Sequence, residues 1–142
     1  MFYGKFNHSL DSKGRLIVPA KFRQKAEEKF FITAGIESCL YGFTEAEWKS
    51  FEEKLRALPF TRESARRMVR RFFSMTAETA CDKLGRIHLS SSLIEYADIS
   101  ADVYIIGAGA RFEIWNRATF DRQDSDGSFE KIAEELADLN IL

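Results

Sequence analysis

Two cysteines, two histidines and two prolines are the chain's whole supply of residues that staple, ligate or break structure. Cys39 and Cys81 form no Cys-x-x-Cys pair and lie in apolar or strand-like contexts, which points to reduced, half-buried thiols. His8 and His88 are too few and too scattered to complete a four-ligand zinc set within one chain, so no metal or other cofactor is expected. No run of about 18 uncharged apolar residues occurs, which argues against a membrane span. The start, MFYGKFNHSLDSKGR, lacks the basic-then-apolar layout of a secretory signal. A cytoplasmic location is the resulting expectation. Gly-rich phosphate loops and nucleophile motifs are missing too, so neither catalysis nor a small-molecule substrate is expected.

Charge of one sign is not in excess overall: the net is -1. That balance hides a strong asymmetry. Residues 1–25 carry six Lys or Arg against Asp11, and residues 61–71 carry five arginines against Glu63. Residues 121–142 carry seven acids against Arg122 and Lys131. Local basic patches, and not the total, decide whether a protein binds nucleic acid.

The chain repeats itself. Asp11-Ser12-Lys13-Gly14-Arg15-Leu16-Ile17-Val18 returns 71 residues later as Asp82-Lys83-Leu84-Gly85-Arg86-Ile87-His88-Leu89. Further on, Phe31–Gly35 matches Val103–Gly107 and Phe43, Thr44 and Trp48 match Trp115, Asn116 and Phe120, at an offset of 72. A repeat of this length is the first thing to settle, since it fixes the fold class.

Each copy reads in the same way. Phe6, His8 and Leu10 alternate with polar residues as in a half-buried strand, the Asp-x-x-Gly tetrad supplies turn chemistry, and Arg15–Val18 is the return strand. Pro19 can open a helix with Phe22 and Ala26 on one face. Phe30–Thr33 and Cys39–Phe43 are short apolar strands about a turn at Gly35, and Thr44 with Glu47 caps a helix holding Trp48, Phe51 and Leu55. Asn116 is the equivalent cap in the second copy. Between the copies, residues 61–74 predict a helix with Ala65, Met68, Val69, Phe72 and Phe73 on one stripe and Arg62, Arg66, Arg67, Arg70 and Arg71 opposite. A loop at Asp124–Gly127 precedes an acidic amphipathic helix with Phe129, Ile132, Leu136 and Leu139.

The doubled Asp-x-x-Gly-Arg hairpin carries the chemistry. Gly14 and Gly85 permit a positive φ at the tip, and Asp11 and Asp82 can accept from turn N–H groups. Arg15 and Arg86 then leave from fixed points at the start of a strand. A two-stranded ribbon fits the DNA major groove, where an arginine fork can bind guanine O6 and N7. Lys13 and Lys83 would neutralise phosphates. Two roles are open to the Asp–Arg pairs: mounting a base-reading side chain, or merely locking a tight hairpin.

The stretches MFYGKFNHSLDSKGRLIVPAKFR, RRFFS and DKLGRIHLSSSLIEYA resemble the MraZ family, and the similarity runs from Met1 to about Phe120. Ser90 departs from it, standing where the first copy has Pro19. The resemblance implies an α+β fold of two tandem AbrB-like (SpoVT-AbrB) swapped-hairpin halves with flanking helices. The division is then 1–58, a linking Arg-rich helix 59–75, 76–123, and an acidic C-terminal helix 124–142. It further implies a nucleoid-associated transcriptional regulator that binds repeated short sites in double-stranded DNA upstream of the division and cell-wall gene cluster, including its own promoter. In that family the Asp-x-x-x-Arg loops touch DNA and the chains form ring-like homo-oligomers. Self-association is expected from the residues as well, through strand edges and through apolar faces at Phe22 and Phe51. The alternative reading is an AbrB-like protein-interaction module of the antitoxin kind.

Overall fold

A computed structural model describes residues 1–25 and 29–140; Ala26, expected beside Phe22, lies outside them. The first half runs β1 (Lys5–Ser9), β2 (Arg15–Ile17), α1 (Ala20–Arg23), β3 (Lys29–Ala34), β4 (Leu40–Thr44) and α2 (Glu45–Arg56). Helix α3 (Glu63–Ser74) leads into a second pass of the same plan: β5 (Ala77–Ala80), β6 (Arg86–His88), α4 (Ser91–Tyr96), β7 (Asp102–Gly107), β8 (Phe112–Asn116) and α5 (Arg117–Asp126). Helix α6 (Phe129–Glu135) and a 3-10 turn (Ala137–Leu139) follow.

Local chemistry accounts for these boundaries. In β1, Phe6 and His8 are half-buried while Lys5, Asn7 and Ser9 face water, as alternation requires. Thr44 accepts from the Glu47 amide at 3.3 Å to start α2, and Asn116 accepts from the Thr119 amide at 3.1 Å to start α5. Pro19 is the cap residue of α1 and not its first helical residue. Its counterpart Ser90 holds the same extended backbone and adds a side-chain cap to the Leu93 amide. The exchange of proline for serine therefore leaves the helix start in place.

The two halves are woven together. One sheet has the order β1-β7-β8-β4-β3-β5, and a second, two-stranded ribbon pairs β2 with β6. Each half thus gives its first strand to the hairpin of the other. The pairing is self-complementary: β4 meets β8 about Tyr41 and Glu113, and β2 meets β6 about Leu16 and Ile87. Phe30 and Val103 occupy equivalent places, as do Ala34 and Gly107, so these strands correspond at an offset of 73. The sequence match at 72 is one residue out, because two residues are gained between the hairpin and β7 and one is lost again in the β7–β8 turn.

Both sheet faces are covered. On one, the ribbon with α1 and α4 encloses Leu16, Phe22, Phe30, Ile87, Leu93, Ile105 and Phe112. On the other, Phe31, Tyr41, Phe43, Trp48, Phe72 and Trp115 pack beneath α2, α3 and α5. Phe112 is the hub of the first cluster, within 5.3 Å of Phe2, 5.5 Å of Phe22 and 5.3 Å of Phe30, ring centre to ring centre. Its partner across the strands is Gly42, where an added Cβ would meet the ring at 2.2 Å. Thus the glycine makes room for the aromatic.

Three further expectations change. Phe22 is buried and Phe51 half-buried against Phe43 and Phe72, so neither leaves an apolar face for a partner. On α3 only Ala65 and Phe72 are buried, while Met68 and Phe73 are exposed. The helix α5 also runs through Asp124–Asp126, where a loop was expected, and stops at Gly127. Among the described residues no helix is long and apolar enough to cross a membrane. From the Phe112 cluster, Phe112→Ala is expected to cost about 3–5 kcal/mol in urea unfolding. A shift no larger than that of a surface substitution would show that the cluster does not hold the halves together.

Candidate nucleic-acid interface

The two turns are built alike, atom for atom. Asp11 Oδ1 accepts from the Lys13 and Arg15 amides at 2.9 and 2.8 Å, and its Oδ2 accepts from Arg15 Nε at 2.7 Å. Asp82 Oδ1 accepts from the Leu84 and Arg86 amides at 2.9 Å each, and its Oδ2 from Arg86 Nε at 2.7 Å. Gly14 and Gly85 sit at φ of 77° and 79°, a region open to glycine at little cost. Each turn is also braced by the other half: the Leu89 amide donates to the Gly14 carbonyl at 2.8 Å and the Val18 amide to that of Gly85 at 3.0 Å.

The pairing of β2 with β6 turns two tips into one surface. Arg15 lies opposite His88 and Ile17 opposite Arg86. With Leu16 and Ile87 buried beneath, these four side chains share the outward face of the ribbon. Arg15 and Arg86 are diagonal neighbours, about 7–8 Å apart at Cα for such a pair. Each has its Nε on an aspartate, and among the described residues no hydrogen bond engages its Nη atoms. The guanidinium forks are therefore fixed at the root, with their ends available.

The remaining site residues fall less symmetrically. Lys13 and Lys83 are both exposed, but Lys13 corresponds to Leu84, and Lys83 to Ser12. Each tip thus carries one lysine, at a different point of the turn. Arg23 is a cation that sequence reasoning missed. Its Nε donates to the Val18 carbonyl at 2.9 Å, and its guanidinium lies where a Gly85 side chain would stand. The equivalent residue is Ile94, which packs against Gly14; only the ribbon crossing brings Arg23 to the second tip, so no local signal could have found it. Of the α3 arginines, Arg71 turns inward to the Gly35 carbonyl and Tyr96 hydroxyl, and Arg66 holds the Phe60 carbonyl, while Arg62, Arg67 and Arg70 are exposed.

The turn amides, led by that of Arg15, hold the Asp11 carboxyl down at about 2, and the Arg15 guanidinium helps. Asp82 is lowered in the same way by Arg86. Both are anions at neutral pH with their oxygens occupied, which suits a clamp and not a proton shuttle. Burial raises the Cys39 thiol to about 12 and also raises Cys81, so these free cysteines stay protonated. A carboxylate lowered by folding contributes stability above its unfolded value near 3.8 and loses it as pH falls through the folded value near 2. Asp11→Ala should therefore be less stable than the native chain by a constant margin from pH 7 to about 4, narrowing between about 4 and 2. Urea melts across that range check this; a margin unchanged at pH 2 would rule out the ionised clamp.

Comparison with protein families returns one match in two copies. The family described as "MraZ protein, putative antitoxin-like" aligns with residues 1–71 and again with residues 72–140. Together these cover nearly the whole molecule and follow the repeat seen in the strands. The chain, two tandem copies woven into one α+β fold, belongs to the MraZ family.

Proposed function

We propose that this protein is a sequence-specific DNA-binding transcriptional regulator whose reading element is the outward face of the β2–β6 ribbon. The observation that carries the proposal is the placement of Arg15 and Arg86 as diagonal neighbours on that face, each rooted on an aspartate. A ribbon fits the major groove, which is about 12 Å wide. Two arginines about 7–8 Å apart can then enter the same groove and meet neighbouring base pairs. Each good bidentate contact to guanine discriminates by about 1–3 kcal/mol. Lys13, Lys83 and Arg23 surround these forks and serve the phosphates, while Asp11, Gly14, Asp82 and Gly85 form the mounts.

One ribbon per chain is a small reading surface. Affinity then comes from several copies of the chain engaged on several copies of a short site. We infer from the family resemblance that those sites lie upstream of the division and cell-wall gene cluster, including the protein's own promoter, and that the protein works in the cytoplasm in association with the nucleoid. The antitoxin-like description of the family supports a second reading, a module that wraps a partner protein, with the exposed helix α6 as its contact. A pull-down with and without residues 121–142 separates the two.

A gel shift on the DNA upstream of the protein's own gene tests the proposal directly, and no binding at low salt would overturn it. Within it, Arg15→Ala or Arg86→Ala should relax sequence preference by roughly 10-fold or more. Lys13→Ala should weaken specific and random DNA alike and lower the salt slope by about one. Equal losses on both DNAs for Arg15→Ala would show that this arginine does not read bases.

A further inference from the structure

Among the described residues, two features of the surface are left without partners, and they are complementary. Between the end of α2 and the start of α3 lies an open groove of about 400 Å³, lined by Leu55, Leu58, Phe60, Ala65 and Val69. Its rim carries Arg56, Arg66 and Arg70, with exposed Arg62 and Arg67 on the same helix end. Phe60, at its mouth, is 77% exposed.

At the other end of the chain, α6 and its 3-10 turn bury no residue. Phe129, Ile132, Leu136 and Leu139 are spaced to form one face, and all four are exposed, Phe129 by 80%. Glu130, Glu134, Glu135 and Asp138 accompany them, against the single cation Lys131. A seven-residue helix is marginal in water by itself, so this one needs a surface to persist.

We propose that the acidic segment of residues 129–139, α6 with its 3-10 turn, docks in the arginine-rimmed α2–α3 groove of a second copy of the chain. This deepens the self-association invoked above by naming its two surfaces. Apolar side chains fill the apolar floor and carboxylates meet the guanidinium rim, so shape and charge select the same occupant. Each copy has one groove and one tail, and the contact joins unlike surfaces. Such heterologous contacts generate a closed ring when the rotation closes and a filament when it does not.

The test uses the full chain in three forms: native, a groove variant (Arg66→Glu with Arg70→Glu) and a tail variant (Ile132→Asp with Leu136→Asp). Light scattering and native mass spectrometry read the assembly, and far-UV circular dichroism verifies that the fold is kept. The native chain should assemble, and each variant alone should fall to the monomer at the same concentration. An equimolar mixture of the two variants should recover a 1:1 pair, since one keeps its tail and the other its groove. Variants that assemble like the native chain, or a mixture that forms no mixed pair, would overturn the docking while leaving self-association standing. A native chain that stays monomeric at tens of micromolar would overturn both. Docking of the tail in its own groove would show as variants whose assembly state matches that of the native chain.

Discussion

A strand pair only three residues long, β2 with β6, holds this molecule in register. Its inner side buries Leu16 and Ile87, and its outer side displays Arg15 and Arg86. Neither strand could stand alone, since an isolated two-stranded ribbon is at best marginal in water. It persists because the first strand of each half has crossed to the other half's hairpin, so that β1 joins β7 and β5 joins β3. Because of the crossing, the sheet, the ribbon and both aromatic clusters each draw on residues of both halves. A unit of about 70 residues closes a hydrophobic core poorly by itself, and interleaving two such units in one chain solves this without the entropy loss of bringing two separate chains together.

The Asp-x-x-Gly-Arg turn resolves a conflict between rigidity and reach. A long arginine loses rotamer freedom when it binds, which weakens recognition. Here that cost is met within folding, because the aspartate takes the Nε hydrogen and the turn amides hold the aspartate. The distal nitrogens remain for a ligand. The sequence alone could not decide between locking the hairpin and mounting a reader. The geometry shows that the lock is made through one edge of the guanidinium only, so the two roles are compatible.

What the sequence made legible was local. The Asp, Gly and Arg positions of both turns, the caps at Thr44 and Asn116, and the apolar faces of β1 and α6 all follow from short-range chemistry and periodicity. What it concealed was long-range. Phe22 and Phe51 read as uncovered because many of their partners, Phe2, Phe6 and Phe112 for one and Phe72 for the other, come from other elements that only the fold brings near. The β3–β7 equivalence slipped by a residue because both strands are runs of apolar side chains buried on two faces, where composition constrains register weakly. The same blindness hid Arg23, whose place beside Gly85 exists only through the β2–β6 crossing.

Fusion of the two halves also frees them to differ, and they do so at the rim of the ribbon. The second tip has Arg23 against its glycine, where the first has Ile94; the first carries Lys13, where the second carries Leu84. A dimer of identical halves must present the same groups twice about its axis, and so reads a palindrome. In this chain the two aspartate-rooted arginines obey the two-fold relation while the surrounding cations do not. The backbone pairing keeps the forks equivalent, but the surrounding charges give the surface a direction. Under the proposed function, such a surface could not be turned end for end on DNA without changing its contacts, and copies laid along a site would point the same way. That property matches a head-to-tail assembly joined by unlike surfaces, in which every chain bears the same orientation relative to the next.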